Sequence, residues 1–350
     1  LAGIKPTRPV PRSESSERFA GRYKTLPEDF VVEELPAYEP CGSGDHTWLL
    51  VEKRGLSTMD MLRELAEMLD RDERSFGIAG LKDAQAISRQ WVSLEHQELR
   101  DCEGLRGERW SVLQTSRHGN KLRMGHLRGN RFVIVLRQTA PEALSLAEAG
   151  LAKMMARGVP NYFGEQRFGK RGANLAKGLE VLQGNARAMA MRMPRRVFGL
   201  VVSAVQSEVF NRVVAARRLT LDQWLPGDLA CLHRNGSVFA VRDAAAEQAR
   251  LQALEISPTG PLPGPEMMLP TGEALAIEQA AQEALGVRIE QFAALPFRLG
   301  RGERRPLRVP LRDATVRAVD GGLELGFALP AGAYATSVLR ELLVDTIWFG

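Results

Sequence analysis

Strand signals fill residues 30–137 of this chain and return at 306–327, while the stretch between them is mostly helical. That order restricts the fold more than any other feature. FVVEEL (30–35), HTWLLVEK (46–53), ISRQWVSL (87–94), RWSVLQT (109–115) and RFVIVLR (131–137) are rich in β-branched and aromatic residues and read as strands. Ser57 to Asp60 resembles a capping box, and Leu62, Leu65 and Leu69 follow at helical spacing, so the pattern predicts a helix over 58–70. A second helix is expected over 141–157, with Pro141 in its first turn and Gly158 at its C-terminal cap. This first stretch reads as an α+β domain with a mixed or antiparallel sheet.

After residue 158 the character changes. Residues 173–183 and 198–217 read as helices, Asn235-Gly236 as a hairpin turn, and 272–285 as another helix. SPTGPLPGPE (257–266) is expected to be an irregular loop, because prolines and glycines crowd it. From 306 strands return, joined by the turn Asp320-Gly321-Gly322, and a helix over 336–344 follows. A length of 350 residues allows two or three domains. The economical arrangement is a helix-rich domain inserted into an α+β domain whose last strands come from the C-terminal part.

Cys41, Cys102 and Cys231 are odd in number, far apart and form no C-x-x-C, which argues against a disulfide framework and a zinc knuckle and suits the cytoplasm. No apolar run approaches the ~18 residues of a membrane span. The first 19 residues are polar and contain prolines, and are read as a loosely held arm rather than a signal peptide. The net charge of +5 favours a polyanionic partner. Cations cluster at 117–131, at 167–171 (Arg167, Lys170 and Arg171) and in RGERRPLRVPLR (301–312), as expected for contact with nucleic-acid phosphates.

A P-loop, a strand-linked G-x-G-x-x-G, an H-x-x-x-H pair and a G-x-S-x-G are all missing from the sequence, which weakens nucleotide, zinc and serine-hydrolase readings. No metal site is expected. The segment that stands out is FGIAGLKDAQAISRQWVSL (76–94). Asp83 lies in it between two expected strands, and Lys82 and Arg89 are near enough in sequence to keep it ionised. Elsewhere a polar residue precedes or adjoins a phenylalanine at Asp29-Phe30 and Asn130-Arg131-Phe132, and Gly326-Phe327 ends a late strand. Rings and an amide meeting near an aspartate would suit a flipped base, with the ring stacking and the amide reading an edge.

Residues 76–94 closely resemble the signature of the bacterial-type tRNA pseudouridine-13 synthase family. Lys24 with PEDFVVEELP (27–36), GDHTWLLVEKRGLST (44–58), GNRFVIVLR (129–137), GVPNYFGEQRFG (158–169) and LPAGAYATSVLRE (329–341) are similar to further blocks of that family in the same order. The resemblance implies a pseudouridine-synthase-like mixed-sheet catalytic domain in residues 1–157 and 305–350, with a family-specific domain inserted at 158–304. It implies a cofactor-free isomerase acting on a uridine of tRNA, with Asp83 as the catalytic aspartate. It further implies that Phe30, Asn130 and Phe327 bind the nucleotide, that Phe132 stacks on the target base, and that Lys24 lines the pocket. The expected partner is tRNA, met by a cytoplasmic monomer with no membrane attachment. Three other readings stay open on the sequence: a non-catalytic RNA-binding protein on the same fold, a different RNA-modifying enzyme such as a methyltransferase, and a metabolic enzyme with an incidentally basic surface.

Overall fold

The computed structural model describes residues 5–184 and 186–344. Along the chain run β1 (Phe30–Pro36), β2 (His46–Arg54), α1 (Thr58–Met68), β3 (Gly77–Ile78), β4 (Ile87–Glu95), β5 (Trp110–His118), β6 (Leu127–Arg137) and α2 (Ala143–Arg157). Next come β7 (Val159–Pro160), α3 (Ala173–Gln183), α4 (Ala186–Ala190), α5 (Arg195–Ala216), β8 (Leu229–Leu232), β9 (Val238–Ala240), α6 (Gln248–Gln252) and β10 (Ile256–Leu262). The remainder is α7 (Gly272–Glu283), α8 (Ile289–Ala293), β11 (Glu303–Pro306), β12 (Arg308–Val309), β13 (Arg312–Val319), β14 (Gly322–Pro330) and α9 (Ala335–Leu342). The chain forms two compact units. Among the described residues, a sheet unit takes 15–151, 311–332 and 342–344, and a helical unit takes 5–14, 152–310 and 333–341.

The sheet unit is built on an eight-stranded sheet of order β13-β14-β6-β1-β4-β2-β5, with β3 paired to β4. Every pairing is antiparallel except the central one, where β1 and β4 run parallel with Val31 opposite Ile87. The parallel pair matters for function, because the segments entering both strands arrive at the same end of the sheet. Side chains alternate along each strand, so paired residues share a face. Leu49 and Val51 of β2 and Val92 and Leu94 of β4 are buried on one face together with Met61, Leu62 and Leu65 of α1. Ser57 starts α1 by accepting the amide of Asp60 at 3.1 Å.

In the helical unit, α3 and α5 carry the core, with Leu175, Leu179, Phe198, Val205, Val209 and Phe210 buried. Gly178 lets the two helices close up, since a Cβ there would lie 2.2 Å from the carbonyl oxygen of Val201. Among the described residues α5 is the one helix long and apolar enough to cross a membrane, and 67% of that stretch is buried inside the protein.

Two expectations are corrected here. Residues 256–262 are a strand, not a loop: β10 pairs with β8 through Ile256–Pro258 and with β11 through Thr259–Leu262. The partner changes within the strand, and the missing amides of Pro258 and Pro261 fit a ladder of that kind. Gly260 is needed for packing, as a Cβ would meet Leu307 at 2.7 Å. The N-terminal arm is also not loose over its described part. Thr7 donates to Glu208 from its amide at 2.9 Å and its hydroxyl at 2.6 Å, and the Arg12 guanidinium lies 2.7 Å from Asp222. The amides of Arg12 and Ser13 donate to Glu341. Residues 1–4 of the arm lie outside the described residues.

Candidate active site

The parallel β1–β4 pair brings two entering segments together, residues 22–29 ahead of β1 and residues 79–86 ahead of β4. The first carries Lys24 and the second Asp83, and their side chains form an ion pair in which Lys24 Nζ donates to Asp83 Oδ2. Lys24 sits at φ +58°, a left-handed conformation that a non-glycine residue holds only when its surroundings impose it. Those surroundings are visible. The amide and carbonyl of Arg22 pair with those of Arg137 at 2.9 and 2.8 Å, and the guanidinium of Arg137 grips the fully buried Asp29 through two nitrogens. The Asp29 carboxylate also accepts the amide of Leu26 at 3.0 Å, so both ends of the 22–29 turn are fixed.

The loop that carries Asp83 is held from below. Lys82 Nζ lies 2.6 Å from the buried Glu34 carboxylate, and the Lys82 amide donates to Thr58 Oγ1 at 3.0 Å. Lys53 Nζ donates to the carbonyl oxygens of Asp83 at 2.8 Å and of Leu56 at 2.7 Å. The Gln85 amide donates to Asp83 Oδ1 at 2.9 Å. Partial burial raises the Asp83 carboxyl. The hydrogen bonds from Lys24 and the Gln85 amide, with the charges of Lys24 and Lys53, outweigh that and leave it below the ordinary carboxylate range. Burial pushes Lys53 down to about 8 against the attraction of Asp83, and pushes Glu34 up against the attraction of Lys82.

The predicted aromatic residues gather on one face of the sheet. Val32, Phe132 and Phe327 are cross-strand partners in one row, and Phe30 and Asn130 lie two residues from that row on the same face. Phe30 and Phe132 stand edge to face with centroids 6.2 Å apart, and Phe132 and Phe327 are tilted at 5.5 Å. Lys24 Nζ lies 4.5 Å from the centroid of Phe30, which joins the aromatic row to the Lys24–Asp83 pair. All three rings are buried. Asn130 is half-buried, pairs across the sheet with Glu34, and its Oδ1 has no hydrogen-bond partner among the described residues. An unpaired buried amide oxygen is costly unless something binds there.

The structure therefore brings Lys24, Phe30, Asp83, Asn130, Phe132 and Phe327 to one region. It reassigns the expected neighbours of Asp83: Lys82 is ion-paired to Glu34, and Arg89 lies 2.8 Å from Glu52. Lys24 and Lys53 take their place. Sequence reasoning passed over Lys53, Glu34, Thr58 and Gln90. The signal for the first two was present, since each puts a charge on the apolar face of an alternating strand.

Arg167, Lys170 and Arg171 belong to the helical unit. Lys170 and Arg171 are exposed, while Arg167 lies over the Phe163 ring at 5.2 Å. The arginines of 301–312 are mostly structural, contrary to expectation. Arg304 is buried against Glu278 at 2.6 Å, Arg305 lies over Phe163 at 4.2 Å, and Arg308 donates to the carbonyls of Arg157 and Leu251.

The fold has a counterpart of known structure. It superposes on the crystal structure of a Methanosarcina mazei protein assigned as a tRNA pseudouridine synthase D with a TM-score of 0.76, at 22% identity, covering 98% of this chain and 96% of that one. The family model for tRNA pseudouridine synthase D (TruD) matches residues 12–193 and 186–342. The tRNA pseudouridine synthase D of Geobacter metallireducens is 41% identical over 92% of this chain and 95% of its own length, and that of Thermus thermophilus 42% identical over 92% and 88%. The chain belongs to the tRNA pseudouridine synthase D family.

Proposed function

We propose that this protein isomerises a uridine of tRNA, the one at position 13, to pseudouridine, and that Asp83 is the catalytic residue. The observation that carries this reading is the Lys24–Asp83 ion pair beside the Phe30–Phe132–Phe327 row: an ionised carboxylate placed at the edge of an aromatic, water-poor face.

The reaction breaks the C1′–N1 bond, turns the uracil, joins C5 to C1′, releases the C5 proton and leaves a proton on N1. Asp83 acts either as a nucleophile on the nucleotide or as a base at the sugar, and both routes need it ionised. Lys24 and Lys53 supply the positive field for that. Phe132 stacks on the target base, Phe30 and Phe327 back it, and Asn130 offers its free Oδ1 to an N–H on the base edge. Excluding water around the detached uracil keeps it poised to rejoin the sugar. Substrate and product are isomers, so the reading calls for no redox partner or cosubstrate.

In the same reading residues 158–304, which fall within the helical unit, are the family-specific insertion, and the catalytic domain of residues 1–157 and 305–350 is built around the sheet unit. Lys170 and Arg171, with Arg167, contact RNA phosphates, and the protein works in the cytoplasm as a monomer. Incubation with tRNA labelled with tritium at uridine C5 tests the function. Release of tritium, with pseudouridine mapped at position 13, is expected; binding without release would contradict it.

A further inference from the structure

We propose that Lys53 is a positioning residue for Asp83: it fixes the backbone of the loop that carries the carboxylate and maintains the positive field that keeps it ionised. This rests on the catalytic assignment of Asp83 above. Lys53 continues the buried face of β2 after Leu49 and Val51, and it is 1% exposed. An ammonium that gives up its hydration must replace it with acceptors. Lys53 finds the carbonyl oxygens of Leu56 and Asp83, at 2.7 and 2.8 Å. Leu56 leads into α1, so one ammonium ties the 79–86 loop to the start of that helix.

A second tie runs alongside. The Lys82 amide donates to Thr58 Oγ1 in the first turn of α1, Thr58 Oγ1 donates to Gln90 Oε1 at 2.9 Å, and Gln90 Nε2 donates to the Gly80 carbonyl at 3.4 Å. The charged groups around Lys53 are Asp83 and Lys82, with Lys24 bonded to Asp83 and Glu34 to Lys82. Three lysines thus face two carboxylates. Lys24 and Lys82 each have a carboxylate partner, and Lys53 supplies the surplus charge. Burial is the main cause of its shift down to about 8, opposed by the attraction of Asp83 and reinforced by the charge of Lys82.

The test compares wild type, Lys53→Met, Lys53→Arg and Asp83→Asn by single-turnover tritium release across pH, with tRNA Kd and thermal melting recorded for each. Lys53→Met is expected to lower the rate constant by about tenfold to a hundredfold, the order associated with a misplaced catalytic group, with Kd little changed. The acid limb of its rate profile should move to higher pH, which a purely structural role would not produce. Lys53→Arg keeps the charge and should keep the acid limb. A folded Lys53→Met with the wild-type rate and acid limb overturns the inference. If Lys53→Met does not fold, Lys53→Arg decides: an unmoved limb supports the charge role, and a displaced one overturns it. Turnover by folded Asp83→Asn would instead overturn the assignment of Asp83, which separates the two failures.

Discussion

Glu34 and Lys82 form a buried ion pair at 2.6 Å directly beneath the loop that carries Asp83, so the residue before the candidate catalytic aspartate is anchored to the central strand of the sheet. The pair is nearly inaccessible, with side-chain exposures of 0% and 5%. Two ions taken out of water gain little net stability from each other, yet removing one strands the other. Glu34→Ala should therefore destabilise the protein by about 3–5 kcal/mol, whereas Glu34→Met with Lys82→Met should come close to neutral. Guanidinium unfolding of both variants checks this; equal losses would show that the pair itself is not the source.

Lys24 controls the acid side of the pH profile. The Asp83 carboxyl lies below its ordinary range, so the ionised form persists as pH falls and is lost only through that lowered value. The same sign holds for stability: the contribution is present above the unfolded aspartate pKa and disappears as pH drops through the folded one. Lys24→Met removes the hydrogen bond and the charge together, and its acid limb of kcat should lie at higher pH than wild type. An unmoved limb would mean that Lys24 does not set the ionisation of Asp83.

Phe132 is the centre of the aromatic row, and truncating its ring removes a stacking surface. Base–aromatic stacking is worth about 1–3 kcal/mol. Phe132→Leu preserves most of the apolar volume, and we expect it to fold, to bind tRNA nearly normally and to lose single-turnover rate by about one order of magnitude, within that stacking range. Wild-type turnover by Phe132→Leu would place the ring in the core alone.

Cations of the helical unit divide into two groups with opposite signatures. Lys170 and Arg171 are exposed, and replacing both by Ala should reduce the salt dependence of tRNA binding, by roughly 0.7–0.9 in log–log slope for each lost phosphate contact, with no change in melting. Arg304 is buried against Glu278, and Arg304→Ala should cost about 3–5 kcal/mol of stability while leaving the slope alone. The reverse pattern would exchange their roles.

The sequence was most readable where one local rule acted alone. β-Branched and aromatic content marks β1, β2 and β4, and the Ser57 cap marks the start of α1. It was least readable where a tertiary partner overrode the local rule. Pro258, Pro261 and Gly260 read as loop residues, yet β10 forms because β8 and β11 each take one half of it. Arg304, Arg305 and Arg308 read as a basic stripe, and they are instead absorbed by Glu278, Phe163 and backbone carbonyls. Asp83 was legible from its motif. Lys24 was expected in the same pocket through the family resemblance; Lys53, 30 residues away in sequence, was not, because it meets Asp83 only through the sheet pairing.

The most direct measurement is tritium release from C5-labelled tRNA by wild type and by Asp83→Asn, at enzyme excess, with folding and tRNA binding recorded for both. Release by wild type, and none by a folded Asp83→Asn that still binds tRNA, is the result predicted here. Comparable release by both proteins would contradict the assignment of the chemistry to Asp83.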